Sequence, residues 1–162
     1  MVEWIKELFT NPFALTALTS WFVAQIIKTV LFLIINKKLD LSRMFGDGGM
    51  PSGHSATVTS LAMLSALARG PGSFEFAVSF ILAIIVCHDA TGVRRETEKQ
   101  AMLIKELVQA FSTLSEKKLP EVKLKGFVGH TPIQVLAGIL LGIANAAVMY
   151  YFVFPQFPMI NL

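Results

Sequence analysis

The sequence predicts an all-α integral membrane protein, a bundle of about four transmembrane helices accompanied by interfacial amphipathic helices. Three observations carry that expectation. The chain is 54% hydrophobic, only 15% charged, and has a mean hydropathy of +0.61; a soluble domain is less apolar and more charged. Four apolar runs of helical length follow one another, at 12–35, 54–69, 74–88 and 132–154, and about 20 apolar residues suffice to cross a bilayer. The basic residues crowd into two of the intervening segments, as loops on one side of a membrane do. At 162 residues a single membrane domain is expected. The net charge of +3 is modest and unevenly placed, so it speaks to topology and gives no reason to expect nucleic acid. One cysteine, Cys87, excludes an internal disulfide, and its apolar neighbours make a small buried hydrophobe the expectation.

Residues 1–10 set Ile5, Leu8 and Phe9 against Glu3, Lys6 and Glu7, the pattern of a helix lying in the interface. Asn11-Pro12 stops it and starts the next. The first span, 12–35, is longer than a signal peptide's apolar core and has no basic leader, so it is expected to be retained. Gln25 and Lys28 interrupt it on one face. An intramembrane lysine is a functional candidate; the plainer reading has Lys28 snorkelling to the headgroups. A loop at 36–53 carries Lys37, Lys38 and Arg43. The span 54–69 is rich in small residues, which let helices pack closely in lipid, and Gly70-Pro71-Gly72-Ser73 is a turn. The third span, 74–88, ends in Cys87-His88-Asp89. Residues 95–116 repeat apolar positions at helical spacing and predict an amphipathic helix within a segment, 89–131, whose lysine-rich part at 115–126 is an exposed loop. In the last span, Thr131 and Gln134 fit a capping box and Pro132 the first helical position. Gly138, Gly142 and Ala146 form a small-residue stripe suited to helix packing.

With four spans, the loop 36–53 and the segment 89–131 share one side. That side holds Lys37, Lys38, Arg43, Arg94, Arg95 and the six lysines from Lys99 to Lys125, against Lys6 and Arg69 opposite. The asymmetry predicts a cytoplasmic placement for the basic side, in the plasma membrane. At that face the motif Gly48-Gly49-Met50-Pro51-Ser52-Gly53-His54-Ser55 opens the second span. A helix start has unpartnered N–H groups and partial positive charge, and binds phosphate; the bland alternative is a helix cap with a histidine at the membrane surface. Asp89, Arg94, Arg95 and His130 arrive at the same face, with Lys28 one or two turns below. Arginine forks and a lysine hold phosphate oxygens, and of two histidines one can attack phosphorus while the other protonates the leaving oxygen. That chemistry needs no metal or other cofactor, and no ligand cluster of metal-site spacing stands out.

These blocks have a known likeness. Pro51-Ser52-Gly53-His54 resembles the central motif of the type 2 phosphatidic acid phosphatases, relatives of the vanadium-dependent haloperoxidases. Gly-Gly-Met-Pro-Ser, Asp-Ala-Thr-Gly-Val-Arg-Arg and Gly-His-Thr-Pro together are similar to a divergent bacterial branch, over most of 25–142. The resemblance implies that His130 is the nucleophile, His54 the general acid, and Arg94 or Arg95 a phosphate clamp. It implies that Ser52 and Gly53 donate hydroxyl and backbone hydrogen bonds, and that Lys28 or Arg43 stands in for the first Lys/Arg motif. The chain departs from the family pattern in three places. The Lys and Arg-Pro of the first motif are missing, the Arg94-Arg95 pair lies far upstream of His130, and Gln134 occupies the position of an Asp. Asp89 is the candidate to supply that carboxylate. The expected activity is a membrane phosphatase acting on a lipid phosphate or diphosphate. A second reading is a binder of phosphate or anionic lipid that has lost turnover, favoured by Gln134. A third is a small transport or assembly subunit forming a homo-oligomer through the Gly138/Gly142/Ala146 stripe.

Overall fold

The computed structural model describes residues 2–40, 44, 48–114 and 131–155, without the side chains of 2, 4, 8, 93–95, 98 and 112–114. All the regular structure among them is helical: α1 (Val2–Thr10), α2 (Pro12–Asn36), α3 (Gly53–Arg69), α4 (Phe74–Thr91), α5 (Val93–Leu114) and α6 (Pro132–Val148), which runs on into a π-helical turn at Met149–Val153. Helices of the bundle begin on polar residues placed to receive the N–H groups that a first turn leaves over. Asn11 Oδ1 accepts from Phe13 N and Ala14 N at 2.9 and 3.2 Å, and Ser73 Oγ accepts from Phe76 N at 3.2 Å. Pro12 and Pro132 occupy first-turn positions, where a missing N–H costs nothing. At the α3–α4 corner, Gly70 takes φ +85°, open to glycine at no steric cost, and its N–H closes on Ala66 O at 3.0 Å.

α3 is the centre of the bundle, packed by α2, α4 and α6. Its contacts fix the directions of its neighbours. Gly49 and Gly53 meet Lys28 and Trp21–Gln25, while Ser60 lies at Thr16, so α2 runs antiparallel to α3. Gly138 meets Ser52 and Ser55, and Gly142 meets Ala56 and Ser60, so α6 runs parallel to it. The four-residue corner returns α4 antiparallel.

The distribution of residues is the inverse of a soluble protein's. The buried positions of α2, α3 and α6 are mostly small or hydroxylated: Ala17, Ser20 and Ala24; Ala56, Ser60, Ala62 and Ser65; Gly138, Gly142 and Ala146. The large apolar residues face outward, among them Leu18, Phe22, Ile26 and Val30 on α2 and Val78, Ile81, Ile84 and Ile85 on α4. In water such a surface would far exceed the apolar patch a monomer tolerates; against hydrocarbon it is the expected exterior. Buried hydroxyls are satisfied within their own helices, as with Thr16 Oγ1 to Pro12 O at 2.7 Å and Ser65 Oγ to Leu61 O at 2.9 Å, because lipid offers them no partner.

Among the described residues three helices are long and apolar enough to cross a membrane: Pro12–Asn36, Phe74–Thr91 and the α6 segment Pro132–Val153. The fourth expected span, 54–69, corresponds to α3, which has only 17 residues, is the most polar of the set and is not one of those three. Its hydroxyls and small side chains are covered by the other three, so it has no need of an apolar exterior. The Gly138/Gly142/Ala146 stripe is a packing face as expected, but its partner is α3 of the same chain. That occupies the surface on which the oligomer reading relied. α4 runs to Thr91, beyond the expected end at 88, and α5 follows after Gly92 alone. The polar residues from Asp89 onward do not break the helix, because its backbone bonds are internal; the break falls at glycine.

Candidate functional site

The end of the bundle where α3 and α6 start is built first by backbone contact. A Cβ on Gly138 would stand 2.5 Å from Ser52 O, and one on Gly142 2.6 Å from Ala56 O. Hydrogen at these two positions lets α6 lie directly on α3. The approach places Gln134 O 3.0 Å from Ser52 N, which donates to it across the two helices. Two helix N-termini therefore stand side by side, and their partial positive charges reinforce each other.

The cap of α3 is fully buried. Ser52 Oγ accepts from Ser55 N at 3.3 Å and lies 3.0 Å from Ser55 Oγ, while Ser52 O receives Ala56 N at 3.1 Å. The N–H of Gly53, at the first helical position, has no carbonyl within the helix to reach. The residue can be nothing larger without disturbing α2: a Cβ there would meet Trp21 Cδ1 at 3.3 Å and Gln25 Nε2 at 3.4 Å.

Lys28 comes to this end from α2. It is 6% exposed, and the loop before α3 folds over its stem. Gly49, at φ +87°, sits so close that a Cβ would lie 3.1 Å from Lys28 Cγ. Lys28 is thus held beneath the Gly48-Gly49 turn and does not snorkel into the open. His54 is exposed on the first turn of α3. Asp89 is half-buried on the last turn of α4, whose end lies at the same end of the bundle.

Of the residues singled out from the sequence, Lys28, Ser52, Gly53 and Gln134 are brought into one assembly, with His54 and Asp89 on adjoining helix ends. Gln134 serves that assembly by its backbone. Its side-chain Oε1 accepts from Thr131 N at 3.0 Å and completes the capping box. Arg94 and Arg95 fall in the first turn of α5; their side chains, and the whole of Arg43 and His130, lie outside the described residues. Among the described residues no three His, Cys, Asp or Glu gather as metal ligands would.

Two participants were not picked out as site residues by sequence reasoning. Gln25, noted only for sharing a face with Lys28, is 6% exposed and lies against Gly53. Asn145, one amide in an apolar helix, places Nδ2 2.7 Å from Ser20 Oγ and 3.2 Å from both Thr16 O and Thr19 Oγ1. It ties α6 to α2 below the site. An isolated amide within a span was the available signal, since such groups glue helices together in lipid. Cys87 is half-buried and lines an apolar cleft of about 330 Å³ between α3, α4 and α6, with Thr59, Met63, Phe80, Ile139 and Ile143.

An inside-out helical bundle with two parallel N-termini and a buried lysine at one end is the architecture of a membrane protein. Comparison with known proteins specifies the class further. Residues 9–145 match the divergent PAP2 family, and the chain belongs to that family. It is similar to a Bacillus subtilis (strain 168) protein named uncharacterized membrane protein YuiD, with 43% identity over 155 residues, covering 90% of this chain and 98% of that protein. No solved structure matches the chain significantly.

Proposed function

We propose that the protein is a membrane phosphatase that hydrolyses a lipid phosphate or diphosphate at the cytoplasmic face. The observation that carries the reading is the buried Lys28 beside the paired starts of α3 and α6. Fixed donors and a point charge at the depth of the lipid headgroups suit the equatorial oxygens of a phosphoryl group in transit. His130 Nε2 or Nδ1 attacks phosphorus, and the bond from phosphorus to the leaving oxygen breaks. His54 gives its proton to that oxygen. Water then attacks the phosphohistidine, His54 takes a proton from the water, and inorganic phosphate leaves with His130 restored. Arg94, Arg95 and Arg43 would clamp the remaining oxygens, and Asp89 would hold the nucleophilic imidazole in one tautomer. The basic side faces the cytoplasm by the excess of lysine and arginine there. α5 would rest on that surface with Met102, Leu103, Leu107 and Phe111, all exposed, toward the membrane.

The test is phosphate release by the purified, detergent-solubilised protein without added metal. Phosphatidic acid, phosphatidylglycerophosphate and prenyl diphosphates are offered to the wild type, His54→Ala and His130→Ala. Release abolished by either substitution is expected, with acid-labile phosphate trapped on His130 during wild-type turnover and absent from His130→Ala. Release that survives both substitutions refutes the assignment. A second reading, a phosphate or anionic-lipid binder without turnover, is favoured by one observation: the Gln134 amide is engaged in its own helix cap, so that position supplies no carboxylate to a nucleophile. Binding that needs Lys28, with no release from any substrate, would establish it.

A further inference from the structure

One buried group at this end has no role in the mechanism above. Gln25 Oε1 is sealed from solvent and has no hydrogen-bond partner among the described residues. It lies one turn from Lys28, on a side chain packed against the first residue of α3. An acceptor left empty inside a protein is costly, and hydrocarbon cannot satisfy it. The neighbouring buried polar groups are satisfied: Thr29 Oγ1 on Gln25 O at 2.9 Å, Ser55 Oγ on Ser52 Oγ at 3.0 Å, and Asn145 on Ser20 at 2.7 Å.

We propose that Gln25 is a ligand-binding residue whose Oε1 accepts a hydrogen bond from the P–OH of a singly protonated phosphate group. The inference rests on the phosphate reading and sharpens it. Lys28 offers only donors, and so does the α3 N-terminus. Both pair with bare phosphate oxygens. A carbonyl oxygen repels a bare oxygen and attracts one that still carries a proton. A phosphate monoester carries that proton below a second pKa of about 6; a diester has no such proton. The arrangement therefore selects the monoanion of a terminal phosphate and discriminates against the diester headgroups that make up the surrounding bilayer. A lipid phosphate and free inorganic phosphate share this chemistry.

The experiment uses the full-length protein in detergent micelles at about pH 5.5 and about pH 8.5, either side of that second pKa. Calorimetric titrations are made with inorganic phosphate and with a phosphonate analogue of phosphatidic acid, which cannot be hydrolysed; phosphatidylglycerol is the diester control. Gln25→Met keeps the volume and removes the acceptor. It is expected to weaken binding about tenfold at the acid pH, the worth of one hydrogen bond to a charged group, and less than about twofold at the alkaline pH. The empty Gln25→Met protein should melt no lower than wild type, because a structural glutamine would be missed and an orphaned acceptor would not. Gln25→Asn, which withdraws the amide by one methylene, should weaken acid-side binding in the same way. Binding of the phosphonate lipid identifies a headgroup as the source of the ligand, and binding of inorganic phosphate alone identifies the free anion. Equal weakening at both pH values, unchanged binding, or a lowered melting temperature with unchanged binding overturns the inference. If Lys28→Met abolishes binding while Gln25→Met does not, the phosphate reading stands without Gln25. A wild type that binds neither probe removes both.

Discussion

The contact between α3 and α6 permits a demanding prediction, because it has almost no slack. Gly138→Ala places a methyl group 2.5 Å from Ser52 O, and non-bonded contacts to a Cβ below 3.0 Å are essentially never seen. Both atoms belong to the framework, since the oxygen is backbone and the methyl is bonded to a helical Cα. No flexible side chain can yield. α6 must therefore withdraw from α3 by about 0.5 Å or more, the difference between those two distances. Overpacking of this kind costs about 1–3 kcal/mol. The withdrawal also stretches the 3.0 Å bond from Ser52 N to Gln134 O. Stranding a buried N–H costs about 1–3 kcal/mol more. The total of about 2–6 kcal/mol corresponds to a fall in melting temperature of at least about 4 °C for a chain of this size. Gly142→Ala, at 2.6 Å from Ala56 O, should behave alike. Gly72→Ala, with nothing within 4 Å, is the control and should melt with the wild type. The assay is thermal unfolding in detergent, followed by intrinsic fluorescence, beside phosphate binding, which should fall with the disturbed α3 start. If Gly138→Ala and Gly142→Ala melted at the wild-type temperature, the parallel glycine contact and the placement of Gln134 against Ser52 would both be refuted.

Three further predictions test other parts of the assembly. Gly49→Ala must adopt a positive φ and press on the Lys28 stem; it should cost about 1–2 kcal/mol from the left-handed backbone alone, read as a lowered melting temperature, and unchanged stability would remove the loop from above Lys28. Asn145→Leu gives up the amide held by Ser20, Thr19 and Thr16 and should cost about 0.6 kcal/mol, the average for polar contacts between membrane helices, and no more than about 1.7 kcal/mol, their maximum; a more stable variant would show that the amide contributes nothing. In a Cys87→Ala background, Lys37→Cys in intact cells should resist a membrane-impermeant thiol reagent while Gly72→Cys is labelled; the reverse pattern would invert the proposed orientation.

The spans were legible in the sequence because apolar runs of that length are hard to accommodate anywhere but in lipid, and the caps at Asn11, Ser73 and Thr131 are recorded in residue type. The packing stripe on α6 was legible for a similar reason, but its partner was not. Small residues announce a close approach without saying whether the other helix belongs to the same chain. The shortness and small residues of α3 pointed to a helix either tilted or packed inside a bundle, without deciding between them: a 17-residue helix rich in Ser and Thr makes a poor lipid-facing span and a good one once surrounded. At the candidate site Lys28 and Ser52-Gly53 stood out by residue type and by side of the membrane. The register that sets Gly49 over Lys28 and Gly53 against Gln25 did not, because it depends on how three helices slide along one another. Gln134 illustrates the opposite limit. Two roles fitted its position equally well in sequence, and only the 3.0 Å bond from Thr131 N shows where its amide oxygen is engaged.

The central position of α3 bears on how the protein is made. α2, α4 and the α6 segment are long and apolar enough to cross a bilayer, and α3, shorter and more polar, is not among them. As the chain emerges, α3 must be carried by the helices on either side of it, with the face destined for α6 still bare. That face includes Ser52, Ser55, Ala56, Thr59 and Ser60, which α6 later covers. α6, which follows α3 and α4 in the chain, is therefore the helix that shields this flank of α3 and aligns the two N-termini. Until α6 arrives the two N-termini are not paired, so the arrangement of this end depends on α6 being in place. A chain arrested before α6 would expose a polar helix flank to lipid, the kind of surface by which membrane quality-control proteases distinguish unfinished proteins from finished ones.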